Sequence, residues 1–360
     1  MPADLLSLAF YLPQFHSIDE NDRWWGEGFT EWTHMARAAA WYPGHVVRQP
    51  VEPLGRYNLL DTKTIEAQQL LASAHGIDGF LIWNYWLGGG QQLLERPVEL
   101  MRSERLKVNY ALAWANHDWV DKQQDRLLAE QRYPGEQDYI DHFFHCLPHF
   151  RSDTYVRIDG KPFFFIYRPE HVPDLPLFVQ TWRKLAHQHG LPGLHIVGDV
   201  LKQASTPPPC LDGYSCGSGF WDPGKLRNLD FIRHKISSRL GLPASPPRFD
   251  FTRLMSHATP ANADDHFVPT VFTGWDTTPR HGRNGIIVDG LTVKAFRNHL
   301  EHTQAQVLRQ AGSTRVVLVK SWNEWAEGNL LEPDSVFGDA LLREYQRFAA
   351  STRQALTREN

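Results

Sequence analysis

The chain has 360 residues, 42% of them hydrophobic, enough to bury a substantial core. Its formal net charge of −4, with no run of Lys or Arg, excludes a basic nucleic-acid stripe, and no stretch approaches the roughly 18 apolar residues of a membrane span. The three cysteines, Cys146, Cys210 and Cys216, make no CxxC pair and read as reduced and structurally incidental.

In chain order, the first apolar run is Leu5–Leu12. It lacks a basic leader and a small-residue cleavage site, so it reads as a buried strand rather than a signal peptide, and a cytoplasmic location is expected. A long insertion at about residues 13–60 follows, then an amphipathic stretch, Thr62–His75, and a second strand, Gly79–Trp86. Helix Leu93–Arg102 leads to strand Val108–Ala115, helix Gln137–Phe150 to strand Pro162–Tyr167, and helix Leu175–His189 to strand His195–Val200. Asp212–Cys216 is a weaker strand. Helix Lys225–Leu240, strand His266–Gly274, helix Val293–Gln310, strand Arg315–Trp322 and helix Gly338–Ala350 complete the series. Eight strands alternating with helices predict an α/β fold, a (β/α)8 TIM barrel with extended βα loops, formed by residues 1–360 as a single domain. An open doubly wound sheet is the second closure; no GxGxxG or GxxxxGK[ST] follows a strand to support nucleotide binding.

A barrel of this kind builds its site at the C-terminal ends of its strands, and there the sequence is unusual. The first strand ends Tyr11-Leu-Pro-Gln14-Phe-His16 and is followed by Trp24-Trp25 and Glu31-Trp32. The second ends Trp83-Asn84-Tyr85-Trp86, the third Trp114-Ala-Asn116-His117-Asp118-Trp119, and the fourth Tyr167-Arg168. The seventh ends Trp275-Asp276, and the eighth Trp322-Asn323-Glu324-Trp325-Ala326-Glu327. Aromatic faces beside amides and carboxylates suit a neutral, polyhydroxylated ligand, because flat rings cover the C–H faces of a sugar while polar groups bind its hydroxyls. Any one tryptophan is more often core than platform; it is the clustering at strand ends that points to a cleft. Glu324 and Glu327 supply the two carboxylates that glycosyl transfer needs, one to protonate the departing oxygen and one as nucleophile or base. The 18 histidines show no HExxH or other ligand spacing, so no metal and no cofactor are expected.

The runs AFYLPQFH (9–16), NDRWWGEGFTEW (21–32), HGIDGFLIWNYW (75–86), LLERPVE (93–99), WANHDW (114–119), GKPFFFIYRP (160–169), GWDTTPR (274–280) and WNEWAEGNLLEPD (322–334) resemble the WbsX-like family of polysaccharide-biosynthesis proteins, which is glycoside hydrolase family 99-like. The resemblance covers nearly the whole chain. It implies a metal-independent barrel acting on an oligo- or polysaccharide, as a retaining glycosidase on α-linked manno-configured sugars, mannose or rhamnose. Glu324 would draw the proton from the sugar's own 2-hydroxyl, giving a 1,2-anhydro intermediate, and Glu327 would serve as acid and then base. A directly nucleophilic glutamate fits the same residues. The family commonly has Glu at the position of His117 and Asn at that of Thr277, which bears on the substrate more than on the reaction. The expected substrate-binding residues are Tyr11, Gln14, Glu31, Trp32, Tyr85, Trp86, Trp114, Asn116, His117, Tyr167, Arg168, Trp275, Asp276 and Asn323. Glu332 is equally suited to pair with an Arg or to touch substrate. A glycosyltransferase, for which neither a DxD motif nor a Gly-rich helix start is evident, and a non-catalytic glycan-binding barrel are the alternatives.

Overall fold

Eight apolar runs become eight parallel strands: β1 (Asp4–Tyr11), β2 (Gly79–Trp86), β3 (Tyr110–Trp114), β4 (Lys161–Ile166), β5 (His195–Asp199), β6 (Gly213–Ser215), β7 (Thr270–Phe272) and β8 (Thr314–Lys320). They belong to a computed structural model that describes residues 4–121, 124–200, 207–217, 229–240 and 245–358. A parallel strand covered on both faces reads as a continuous apolar run, and β2, Gly-Phe-Leu-Ile-Trp-Asn-Tyr-Trp, is buried along its whole length. The strand order is β6-β5-β4-β3-β2-β1-β8-β7. Leu8 of β1 pairs with Leu318 of β8 on one side and Gly79 of β2 on the other. Closure runs between β6 and the segment entering β7: Tyr214 N donates to His266 O at 3.2 Å, and Val268 N to Tyr214 O at 2.7 Å. The fold is the expected (β/α)8 barrel, and its weakest predicted strand is the three-residue β6 at this seam.

The helices are α1 (Asp19–Trp25), α2 (Glu31–Ala36), α3 (Thr62–Ala74), α4 (Arg96–Ser103), α5 (Glu136–Phe150), α6 (Leu175–Gln188), α7 (Leu229–Arg239), α8 (Phe251–Met255), α9 (Thr278–His281), α10 (Val293–Val307) and α11 (Ala340–Arg358). Several starts are fixed by side-chain caps that satisfy otherwise free amides: Asp61 accepts from Lys63 N, Asp174 from Leu177 N, and Thr292 from Ala295 N. Helix α4 starts three residues later than predicted. Gln92 and Leu93 pair back antiparallel on Trp86 and Tyr85, and Pro97 in the first turn sets the new start. Helix α11 runs eight residues beyond the predicted end at Ala350, because Leu356 still buries its side chain. Residues 225–228 of the predicted helix Lys225–Leu240 lie outside the described residues. Among the described residues no helix is long and apolar enough to cross a membrane.

The insertion after β1 is ordered and holds α1 and α2. Its anchor is Arg48, whose guanidinium donates to Asp334 Oδ2 from Nε at 3.0 Å and Nη2 at 2.7 Å, to Thr273 O at 2.8 Å and to Leu330 O at 2.9 Å. One buried cation thus ties the insertion to the end of β7 and to the loop after β8.

Candidate active site

The C-terminal mouth of the barrel opens into a cavity of about 530 Å³. Its floor is set by β2, whose alternation decides which rings face inward. Trp83 and Tyr85, two residues apart, share the cavity face. Trp86 points the other way, stacked on His142 at 4.9 Å with an interplanar angle of 5°, its Nε1 on the Asp138 carboxylate. Trp86 is therefore a packing residue and not a platform, and Trp83 is the ring that sequence reasoning left out. A period-two reading of β2 would have separated them.

Glu324 and Glu327 both line the cavity. Glu324 closes a two-residue pairing of Asn323–Glu324 with Asn329–Leu330, and a single 3₁₀ turn, Trp325–Glu327, returns Glu327 to the same space. Trp83 Nε1 donates to Glu324 Oε1 at 2.7 Å. Burial and then the charge of Glu327 push the Glu324 carboxyl up to about 8, against the pull of Lys320, Arg280 and the Trp83 hydrogen bond. Burial would raise Glu327 as well, but Arg280 and the approach of the Glu324 carboxyl, with His281 and Lys320 behind them, outweigh it and hold Glu327 at about 2. The pair therefore shares one proton, and in the free cleft that proton sits on Glu324. This is the reverse of the allotment the family resemblance implies.

Arg280, from the one-turn helix α9, organises this arrangement. It contacts Glu327 through Nη1, and Nη2 donates to Glu31 Oε1 at 2.6 Å. Glu31 Oε1 also accepts from Ala326 N at 3.2 Å, so one carboxylate holds both the arginine and the turn that carries Glu327. Helix α9 is seated by Asp276, whose Oδ1 accepts from Thr278 N at 3.0 Å and from the Thr278 hydroxyl at 2.7 Å. Behind the turn, Glu332 is buried and accepts from Tyr57 Oη at 2.9 Å, Gln68 Nε2 at 2.6 Å and Trp325 Nε1 at 2.7 Å. Burial outweighs these donors and pushes Glu332 up to about 7. Among the described residues it pairs with no arginine, and it does not line the cavity.

Among the expected binding residues, Gln14, Tyr85, His117, Tyr167, Arg168 and Trp275 line the cavity with the two glutamates. The others do not. Tyr11 is fully buried and donates to Gln68 Oε1 at 2.6 Å. Glu31 is fully buried behind Arg280. Trp32 donates from Nε1 to Tyr57 O at 2.7 Å and packs on Phe15 and Trp325. Trp114 donates from Nε1 to Trp86 O at 2.9 Å and stacks on Phe178. Asn116 accepts from Arg168 N and donates to Arg168 O, both at 2.8 Å, fixing the end of β4. Asp276 faces α9 and His45 rather than the cavity. Asn323 accepts from Leu12 N at 2.7 Å and donates to Leu12 O at 3.1 Å, stitching the ends of β1 and β8. These residues are clustered at strand ends because buried polar groups need partners there; they build the site from behind.

Beyond Trp83, sequence reasoning also missed Arg280, His281, Lys320, Trp25, His34 and the hairpin of Trp119–Asp121 and Arg126–Ala129. His34 is held neutral by burial and then by Arg280, with its pKa near 3. The pairing of Thr277 and Thr278 with Pro279 is a helix-start signal that could have located α9. Among the described residues no group of three or more His, Cys, Asp or Glu could hold a metal ion.

A model of the family described as glycosyltransferase WbsX matches residues 7–345. The chain is 32% identical over 367 residues to the uncharacterized protein WxcX of Xanthomonas campestris pv. campestris strain B100, and equally to that of strain ATCC 33913. Each alignment covers 99% of this chain and 50% of the relative, so the chain spans about half the length of the curated relatives it matches. The fold is similar to that of the GH99 endo-alpha-mannosidase from Bacteroides thetaiotaomicron, with a TM-score of 0.57 and 15% identity over 98% of each chain. It is also similar to a glycoside hydrolase-like protein, with a TM-score of 0.62 and 16% identity over 97% of this chain and 96% of that one. At those identities the likeness is one of fold. With the family match running from within the barrel's first strand to its last helix, the chain belongs to the WbsX family.

Proposed function

We propose that this protein is a glycan-cleaving enzyme acting on an α-linked manno-configured sugar, mannose or rhamnose, with retention of configuration. The observation that carries the reading is the Glu324–Glu327 pair, buried at the mouth of a barrel, with the two affinities for a proton driven far apart. Two neighbouring carboxylates whose environments separate them in this way supply an acid and a base at one pH. Trp83, Tyr85, Tyr167 and Trp275 around the pair provide the ring faces a sugar needs. The fold shared with an endo-alpha-mannosidase supports the manno configuration.

The free cleft suits Glu324 as the proton donor to the departing oxygen and ionised Glu327 as the group that attacks C1 or draws the proton from the 2-hydroxyl. The allotment implied by the resemblance needs one further move. As the 2-hydroxyl donates to Glu324, the shared proton passes to Glu327, against the pull of Arg280. Aryl α-mannosides and α-rhamnosides with good and poor leaving groups decide between these. Removing the acid spares the good leaving group, because it departs without protonation. Glu324→Gln retaining turnover of the good leaving group assigns the acid to Glu324, and Glu327→Gln doing so assigns it to Glu327. Wild-type protein that releases neither aryl group, nor sugar from any α-linked glycan, contradicts the proposal.

A further inference from the structure

Among the described residues, two cations of the cavity lining, Lys320 and Arg168, form no ion pair with a carboxylate. Lys320, at the end of β8, is 4% exposed. Its ammonium meets two ring faces, 5.6 Å from the centre of Tyr167 and 5.2 Å from that of Trp275. Arg168 lies over the same Tyr167 ring at 3.8 Å and donates from Nη2 to Tyr167 Oη at 2.8 Å, while its buried Nη1 has no partner. The third cation, Arg280, is answered by Glu31 and Glu327. The charge of Lys320 does reach Glu324 and Glu327, but at longer range, and Glu324 holds the proton of that pair.

A buried ammonium lying over two rings has lost most of its hydration, and an aromatic face returns a fraction of it. Tyr167 thus gathers a lysine and an arginine donor onto one wall of the cavity, where among the described residues the Glu170 carboxylate feels the charge of Arg168 without forming an ion pair with it. The remaining acids of the lining, Asp118 and Asp121, follow β3 and accept from Gln131 N at 2.7 Å and Gln124 N at 3.2 Å. We infer that Lys320 and Arg168, across Tyr167, form a subsite for an anionic substituent on the sugar held beside Glu324 and Glu327. The substituent is a carboxylate, sulfate or phosphate ester, and the substrate is an acidic glycan rather than a neutral one. This inference rests on the glycan-cleaving reading for the identity of the ligand as a sugar, but its test does not require turnover.

The test is equilibrium binding to wild-type protein, followed by tryptophan fluorescence, of methyl α-mannoside, its uronate, its 6-sulfate and its 6-phosphate. At least one charged glycoside is expected to bind about tenfold tighter than the neutral one, since a charge-assisted contact is about twice as strong as a neutral one. Which of the three it is identifies the anion. The preference should shrink as salt is raised. It should vanish in Lys320→Gln and in Arg168→Gln and persist in Lys320→Arg, with unchanged circular dichroism showing that each variant is folded. Equal or weaker binding of every charged glycoside overturns the inference, as does a preference that survives both glutamine variants, or no binding of any charged glycoside up to its solubility. A charged preference in a protein that cleaves no glycan keeps the subsite and removes the hydrolase reading. Cleavage of neutral mannan without any charged preference does the opposite.

Discussion

Replacing Glu332 with Gln should change how stability depends on pH, by an amount the structure sets. The Glu332 carboxyl ordinarily titrates near 4.5 and is raised to about 7 in the fold, because burial outweighs the donors Gln68, Trp325 and Tyr57. Between those values the folded chain keeps a proton that the unfolded chain releases. Stability from this group is therefore complete below about pH 4.5, falls as pH rises through about 7, and is flat above. At about 1.4 kcal/mol per pH unit the interval corresponds to about 3 kcal/mol. Glu332→Gln removes that titration. It also leaves one acceptor where the carboxylate offers two, at a pH-independent cost of about 1–3 kcal/mol. Urea denaturation of wild type and variant at pH 4 and pH 8 separates the two effects. The wild type should lose about 3 kcal/mol more than the variant across that range. A difference between the two proteins that is the same at both pH values would refute the reasoning, and with it the burial argument for this carboxylate.

Arg280→Met should lower kcat/KM by about a hundredfold, the scale of one acid–base group. It should also move the acid limb of the pH–rate profile upward, because Glu327, held at about 2 chiefly by Arg280, then keeps its proton to higher pH; an acid limb that stays put contradicts this. Arg48→Met strands Asp334 without its cation and should cost about 3–5 kcal/mol in urea denaturation, so a loss under about 1 kcal/mol, the range of an exposed pair, would show that the anchor is dispensable. Tyr11→Phe removes a core hydrogen bond to Gln68 and should cost about 1 kcal/mol with KM unchanged. A raised KM would return Tyr11 to the cleft.

The barrel was legible because its strands are apolar on both faces and end abruptly in polar and aromatic residues, as β2 and β8 do. The same endings exposed Glu324 and Glu327. What they could not tell apart was a ring that faces the cavity from one that supports the wall. Trp83 and Trp86 belong to one tetrapeptide, and only strand pleat separates them. Glu31, Asn116 and Asn323 share the composition of a sugar site but act as stitches, since a buried strand end needs polar partners as much as a ligand does. The role of Arg280, the last residue of the run GWDTTPR, was hidden for a different reason. Its partners Glu31 and Glu327 lie 249 and 47 residues away along the chain, and no local pattern records such a contact.

The most direct measurement is the release of new reducing ends from a panel of α-mannans and rhamnose-containing polysaccharides, neutral and acidic, with chelator present and no sugar nucleotide. Release by the wild type, lost in both Glu324→Gln and Glu327→Gln, is the expected result and establishes a glycosidase built on that pair. Undiminished release by either variant, or tight binding across the panel with no release at all, contradicts it.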